Sequence, residues 1–435
     1  MANTKKVAII GGGVAGLAAA AKLCQRGIAV TLFEAAPQLG GRARAFDYKG
    51  IELDNGQHIL LGAYHQMLAL LKLAGVAEQD VLLRVPLQFN MLNLLNKKPY
   101  LIKPIAALPA PLHFLAGLIF AKGFSLIDKF AAIKLLVWMR LNNFKLENDT
   151  VLNGFLMAKK QTPTLITALW EPLCLAALNT PIAQASTQVF LNVLRDSFAK
   201  HKTDSDFLLP RVDLSKLLAE PLARYIKQHG GEVLTSTPVT NIKQTSNGFN
   251  LDFAGKTLPF SHVILAVAPH QLNEIQISSQ PPFQLTHTQH FTYQVITTVY
   301  LQFSTQTKLP EPMQGLVGGV CQWVFDRGQI CGQHGLIAVI ISAHQKTQTN
   351  QALIDTVLAE LAFLKLDLTE RKNKLRWQKI ITEKFATFSC DANLQRPSSL
   401  TEIAHLYLAG DYVAGDYPAT IEGAVLCGIS IASQI

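Results

Sequence analysis

The run VAIIGGGVAGLAAAAKLCQRG, Val7 to Gly27, constrains this chain more than anything else in it. Val7–Ile10 is an unbroken apolar stretch of buried-strand type, and Val14–Arg26 has helical spacing. Three glycines, Gly11, Gly13 and Gly16, therefore stand between a strand and a helix. Ala29–Phe33 reads as a second strand and completes an opening βαβ unit. Glycines at this spacing permit a tight turn and let the backbone approach a pyrophosphate held at the helix N-terminus. Glu34 ends the second strand, eighteen residues past Gly16, where a carboxylate can accept ribose hydroxyls. A bare glycine triplet says little, but with strand, helix and acid in place it predicts dinucleotide binding. MANTKK ahead of this run gives it the look of a secretory signal. Cleavage would destroy the glycine site, so the segment is read as part of the folded protein.

Two later segments select the dinucleotide. LGGRAR (Leu39–Arg44) follows Glu34 closely, and its glycines and arginines, Gly41 and Arg42 among them, suit a second pass along the same phosphates. Near the C-terminus, LYLAGDYVAGDYPATIEGAVLCG offers a strand, then Gly410-Asp411, then a helix begun near Pro418. An aspartate at a strand end can hold a ribityl hydroxyl, and a helix N-terminus aimed at a ring stabilises negative charge there. Reduced flavin is an anion, whereas nicotinamide has no such need, so the pair favours FAD.

At 435 residues the chain is long enough for two or three domains. Cofactor-type pieces lie at both ends and in the middle, which predicts interleaved domains: 1–84, 205–275 and 395–435 for a Rossmann-like FAD-binding domain, 85–204 and 276–394 for an α+β substrate domain. The stretch 85–202 reads as mostly helical. Further strands are expected at Glu232–Leu234, Val239–Lys243, Phe249–Phe253, His262–Ala266, Val295–Phe303, Leu336–Ser342 and Leu406–Ala409. Helices are expected at Leu217–Gln228, Gln351–Leu364 and Ala419–Gln434. Six cysteines without close-paired spacing form no zinc pattern and no disulfide framework, consistent with a cytoplasmic protein.

The net charge of +9 is concentrated. Between Met91 and Leu146 stand Lys97, Lys98, Lys103, Lys122, Lys129, Lys134, Arg140 and Lys145 against one acid, Asp128, so this segment carries seven of the nine excess charges. It also contains the most apolar run, Pro104–Ala121, interrupted by Pro109 and Pro111. A membrane span, a buried helix pair and an apolar surface resting on the anionic inner face of the cell membrane all remain open. Nucleic-acid binding is not expected, because aliphatics rather than stacking aromatics separate the basic residues.

LDNGQHILLGAY (Leu53–Tyr64) sets a small polar knot at the head of an oily run. These segments together are similar to the flavin amine oxidase and carotenoid desaturase superfamily. Within it, LDNGQHILLGAY, WEPLCLAALNTP (Trp170–Pro181) and YPATIEGAV (Tyr417–Val425) resemble the squalene-associated FAD-dependent desaturases, understood as hydroxysqualene dehydroxylases. The resemblance runs from residue 5 to 435 and is thin between Gln276 and Leu375. It implies bound FAD and reductive removal of the hydroxyl of hydroxysqualene, a long-chain isoprenoid, giving squalene for hopanoid or sterol synthesis. It does not name the electron donor.

Residue by residue, the resemblance places Gly11, Gly13, Gly16 and Arg42 at the pyrophosphate and Glu34 at the adenosine ribose. It sets the Val239 backbone at the adenine, and Gly56 and the Thr420-Ile421 peptide at the flavin ring. Gln57 and His58 would then project into the reaction chamber, His58 as an acid helping hydroxide leave and Gln57 or Asn55 orienting the oxygen. The alternative for Asp54, Asn55 and His58 is that they only satisfy loop backbone groups. Tyr412 departs from the tryptophan usual in the dehydroxylases and matches the plant-type phytoene and ζ-carotene desaturases, which makes them the second reading. Amine oxidation is disfavoured, since Thr420 replaces a cage tyrosine and YQVITTVYLQF (Tyr293–Phe303) lacks the expected lysine. A flavin-free prenyl-lipid carrier would need none of Glu34, Arg42 and Asp411.

Overall fold

The computed structural model describes residues 5–105, 107–345, 348–364, 366 and 374–435. Residues 1–4 of the basic start and Ala106 of the apolar run lie outside them. Five strands form a wholly parallel sheet in the order Glu232–Leu234, Ala29–Phe33, Lys6–Ile10, His262–Leu265, Leu406–Leu408. The inner strands are apolar without alternation because both faces are covered: every residue of His262–Leu265 and all but the first of Lys6–Ile10 and Ala29–Phe33 are buried. Helices Val14–Gln25 and Ile421–Gln434 pack together on this sheet, burying a strip of alanines from Ala15 to Ala21. This is an α/β fold.

A four-stranded sheet (Lys256–Phe260, Gly248–Phe253, Val239–Thr245, Gln276–Ser278) leans on the parallel one. Its last strand pairs with Asn241–Lys243, so the sheet continues past the expected boundary at residue 275. A larger mixed sheet has seven strands in the order Trp377–Phe388, Tyr293–Gln302, Leu336–Ser342, Trp323–Asp326, Met313–Val317, Phe89–Asn93, Pro99–Ile102. Its inner strands alternate. Val299, Leu301, Val339 and Ile341 pack in the core under helix Asn350–Leu361, while Tyr300, Ala338 and Ile340 join the main core on the other side.

Several expectations need correction. The hairpin Phe89–Asn93/Pro99–Ile102 interrupts the stretch read as helical, and Met313–Val317, Trp323–Asp326 and Trp377–Phe388 are strands without a sequence reading. The last, WQKIITEKFATF, lies at a sheet edge with most of its length half-buried or exposed, so it tolerates Lys379, Glu383 and Lys384 and loses its alternating signature. From the apolar run 104–121 comes a single short helix, Leu112–Ile119, followed by Leu126–Leu141. Among the described residues no helix is long and apolar enough to cross a membrane.

Candidate active site

A cavity of about 610 Å³ opens along the edge of the parallel sheet, inside the roughly 300–1,000 Å³ range of ligand and cofactor pockets. Gly11, Gly13, Glu34, Gly41, Arg42, Gln57, His58, Val239, Gly410, Asp411, Thr420 and Ile421 all line it. Of the expected site residues, Gly16 and Gly56 do not.

The glycine loop shows why each position is what it is. Gly11 has φ +113°, and a Cβ there would stand 2.4 Å from the carbonyl oxygen of Ala266. A Cβ on Gly16 would stand 2.0 Å from the carbonyl oxygen of Gly11, so Gly16 is the residue that lets the helix dock on the strand. Gly13 differs, because a Cβ there would meet nothing within 4 Å. The fold itself does not demand glycine at that point, and the open space is what a close-lying phosphate would fill. LGGRAR folds back onto this loop: the Gly40 amide donates to the Gly12 carbonyl at 2.9 Å, and Gly13 and Gly40 bridge as parallel strands.

Glu34 tethers the loop as well as facing the cavity. Its carboxylate accepts from the amides of Gly12 at 2.7 Å and Ala36 at 2.8 Å, and further lone pairs remain for hydroxyl donors. Arg42 and Asp411, assigned to separate parts of the cofactor, meet each other here: Nη2 donates to Oδ2 at 2.6 Å, and Nη1 to the Ala386 carbonyl at 2.7 Å. The Asp411 carboxylate holds the Arg42 guanidinium pKa above its usual value. The Tyr412 hydroxyl is buried at the cavity wall with no hydrogen-bond partner among the described residues. An orphaned buried hydroxyl, an open glycine cradle, a cation and a helix N-terminus together fit a phosphate-linked aromatic cofactor.

Thr420 caps the helix Ile421–Gln434, its hydroxyl accepting from the Gly423 amide at 3.1 Å. Glu422 in the first turn points away to a second helix, His65–Leu73, accepting from the amides of Gln66 and Met67 at 2.9 Å each. Burial raises this carboxyl to about 6, with the two amides opposing.

The polar knot is held from within. Arg327, fully buried, donates through Nη1 to Gln57 Oε1 at 2.6 Å and to Asp54 Oδ2 at 3.3 Å, and through Nε to Gln333 at 2.6 Å. Asp54 also accepts from the Leu214 amide at 2.8 Å. The Gln57 amide donates to the His58 carbonyl at 3.2 Å. Gln57 thus gives its oxygen to Arg327 and one amide N–H to the loop, and it still lines the cavity with its second N–H uncommitted. A buried guanidinium needs acceptors, and Gln57 is one. Asn55 is likewise tied, to Glu383 at 3.0 Å.

His58 does face the cavity. Its Nδ1 lies 2.7 Å from the Gly56 carbonyl; a carbonyl only accepts, so Nδ1 carries the proton. Burial lowers the ring pKa and Arg42 adds to the shift, against the Gly56 bond and Asp54. The half-buried ring lines the cavity, and desolvation is the largest influence on it. Near neutral pH the ring is therefore neutral, with Nε2 an acceptor. The expected acid would have to be an imidazolium, the form this environment disfavours.

A second cavity, almost wholly apolar, adjoins the first. Ile59, Tyr64, Ala176, Ala177, Trp323 and Thr420 line both and mark the junction. Beyond them the wall is Leu61, Phe89, Phe190, Phe198 and Phe207. Tyr64 carries the polar group at this junction. Burial and the Glu422 carboxylate push its phenol well above the ordinary value, so it stays protonated and can donate.

The sequence profile described as flavin containing amine oxidoreductase matches residues 14–435. The chain belongs to that family. As a flavin-dependent oxidoreductase it is similar along nearly its whole length to two hydroxysqualene dehydroxylases. One, from Zymomonas mobilis subsp. mobilis, is 28% identical, covering 98% of this chain and 97% of the relative. The other, from Rhodopseudomonas palustris, is 27% identical, covering 99% and 98%. A ζ-carotene desaturase from Zea mays is 26% identical over 52% of this chain and 41% of its own length. Among solved structures, a putrescine oxidase bound to putrescine aligns with a TM-score of 0.72 at 17% identity, covering 99% of this chain and 98% of that one. That likeness is one of fold.

Sequence reading missed Arg327, Tyr64 and Trp323. Tyr64 closes the segment Leu53–Tyr64 without an expected role there, and Trp323 sits in apolar surroundings with no motif of its own. Arg327 follows the strand Trp323–Asp326 in a segment where the family resemblance is thin.

Proposed function

We propose that the protein binds FAD and reductively dehydroxylates hydroxysqualene to squalene. The observation that carries this reading is the join of two unlike cavities: a groove built for a phosphate-linked cofactor runs into a hydrocarbon-lined chamber, with Tyr64 and Thr420 at the junction. Near-full-length similarity to the two dehydroxylases supports the substrate.

Gly11, Gly13, Gly41 and Arg42 would hold the pyrophosphate, Glu34 and Val239 the adenosine half, and Asp411 with the Thr420-Ile421 helix start the isoalloxazine half. A reduced flavin held there would supply the hydride equivalent that the dehydroxylation needs. The chain's residues would manage the oxygen. Neutral His58 accepts the substrate hydroxyl hydrogen through Nε2 and so orients it. Tyr64 donates to the oxygen and protonates it as the C–O bond breaks, releasing water; hydroxide is a stronger base than tyrosinate, so this transfer runs downhill. Ile59, Leu61 and the phenylalanines exclude the water that would recapture an allylic cation.

Carotenoid desaturation is the second reading, favoured by Tyr412 and the partial ζ-carotene desaturase match. The test separates the two by electron direction. Dithionite-reduced protein mixed with hydroxysqualene should reoxidise and yield squalene in a single turnover. Conjugated product from phytoene or ζ-carotene with oxidised protein, and no squalene from reduced protein, would establish the desaturase instead.

A further inference from the structure

Of the fifteen large apolar side chains that stand exposed among the described residues, eight fall between Leu112 and Leu141. Such clustering on one face marks an interaction site rather than ordinary surface. Helix Leu126–Leu141 is apolar on both sides: Ala132, Leu135 and Met139 face the core, while Leu126 (83% exposed), Phe130 (70%), Val137 and Leu141 form a stripe on the opposite side. Ile127 and Phe120 widen it. Exposed Lys103, Lys122, Lys134, Arg140 and Lys145 surround this face, and none makes an ion pair among the described residues. The segment's single acid does not offset them. Asp128 is buried and accepts from Ser125 and Thr162 as part of a capping box.

Helix Leu112–Ile119 packs against the wall of the apolar cavity. Its Phe114 ring lies 4.5 Å from that of Phe198 at a tilt of 30°, and His113 Nε2 lies 3.4 Å from the Ser205 hydroxyl. Phe198 and Ser205 both line that cavity. The same helix carries exposed Leu112 and Ile119, so it touches the chamber wall and contributes to the apolar outer face.

We propose that the outer face of helices 112–119 and 126–141 inserts into the interfacial layer of an anionic bilayer, and that the isoprenoid passes from the bilayer past the Phe114–Phe198 wall into the chamber. The delivery half rests on the lipid substrate proposed above; the docking half rests on apolar exposure and unpaired cations alone. The stripe supplies apolar burial, and the lysines supply attraction that salt weakens.

The test uses full-length flavin-loaded protein and needs no substrate, so it stands or falls apart from dehydroxylation. Co-sedimentation is measured with vesicles of phosphatidylcholine alone and with added phosphatidylglycerol, at low and high salt. Wild type should bind the anionic vesicles far better, and salt should release it. Ile127→Glu/Phe130→Glu should lower partitioning at least roughly tenfold, since burial of one such side chain contributes more than a decade. Both positions are exposed, and flavin content per chain checks that the variant folds. Equal binding to neutral and anionic vesicles, no binding to either, or unchanged binding by the variant would overturn the proposal. So would a wild-type dimer, seen by analytical ultracentrifugation, that the variant converts to monomer, since the face would then be closed by a second copy.

Discussion

Replacing Arg327 by methionine should be among the most damaging single changes available in this chain. The guanidinium is 2% exposed and its partner Asp54 is 1% exposed. Arg327 holds three side chains, Asp54, Gln57 and Gln333, and Gln333 in turn holds the Glu52 carbonyl at 2.9 Å. Methionine fills most of the volume but leaves Asp54 a buried charge with the Leu214 amide as its remaining side-chain partner. Breaking one side of a buried pair costs about 3–5 kcal/mol, against a typical total of about 5–15 kcal/mol. The double variant Asp54→Asn/Arg327→Met tells cause from consequence. Burial already pushes the Asp54 carboxyl up despite Arg327, so removing both charges should recover at least about 2 kcal/mol of the loss. Urea unfolding followed by tryptophan fluorescence, with flavin content recorded alongside, measures both. The single variant should also be relatively more stable at acid pH, because a lone buried Asp54 has its pKa raised and gains by protonation. A loss below about 1 kcal/mol, or strictly additive single changes, would refute the assignment of Arg327 as the knot's internal anchor.

Glu34→Ala should weaken FAD binding by about 1–3 kcal/mol, the cost of losing a charged hydrogen-bond partner, read by flavin titration of apoprotein; Glu34→Gln, which keeps one acceptor for the loop amides, should lose less. Glu422 makes stability fall with pH: its folded value of about 6 against an ordinary 4.5 means the native state holds a proton the unfolded chain releases. That contribution is complete below 4.5 and is lost as pH rises through 6, about 2 kcal/mol in all. Glu422→Gln should flatten the unfolding free energy between about pH 4.5 and pH 7.5 by that amount, and unchanged slopes would remove Glu422 as the cause. His58→Ala should slow single-turnover reoxidation by hydroxysqualene only about tenfold or less, the worth of one hydrogen bond, with wild-type rates flat above neutrality. A loss of about 10²–10⁴-fold, falling with rising pH in wild type, would restore the imidazolium acid.

What the sequence disclosed and what it hid divide along a physical line. The βαβ opening was legible because its strands are buried on both faces and its turn needs glycine, so neither alternation nor bulky residues could mask it. The terminal Gly410-Asp411 and helix start were legible from their pattern alone, since the strand before them, Leu406–Leu408, lies at the sheet edge. The edge strand Trp377–Phe388 was not, because half-exposed positions accept any polar residue. Nor was Arg327 legible, since two of its three side-chain partners, its counter-ion among them, are 270 and 273 residues away in sequence. Gln57 and His58 both line the cavity, but only Gln57 is also bonded to the buried Arg327, and no spacing rule separates them.

That divergence explains why a polar knot stands at the head of an oily run. Most of its polar groups look inward. Asp54 binds Arg327 and the Leu214 amide, its carbonyl accepts from Tyr300 at 3.1 Å, Gln57 joins Arg327, and Asn55 reaches Glu383 on the large sheet. The knot is thus a rivet between the Leu214 turn and the large mixed sheet, set where the two cavities meet. A loop at such a junction would otherwise be free to move, with an almost wholly apolar cavity on one side and a more polar one on the other. Fixing it by buried charge is costly in desolvation but leaves it one register, because every alternative placement strands an ion away from water. The chamber wall from Ile59 onward then inherits its position from the rivet. His58, the one knot side chain turned to the cavity without a side-chain partner in the core, is held by Gly56 within the same fixed loop. The dehydroxylation proposed above, which must orient one hydroxyl on an otherwise featureless hydrocarbon, would need that rigidity more than additional polar groups.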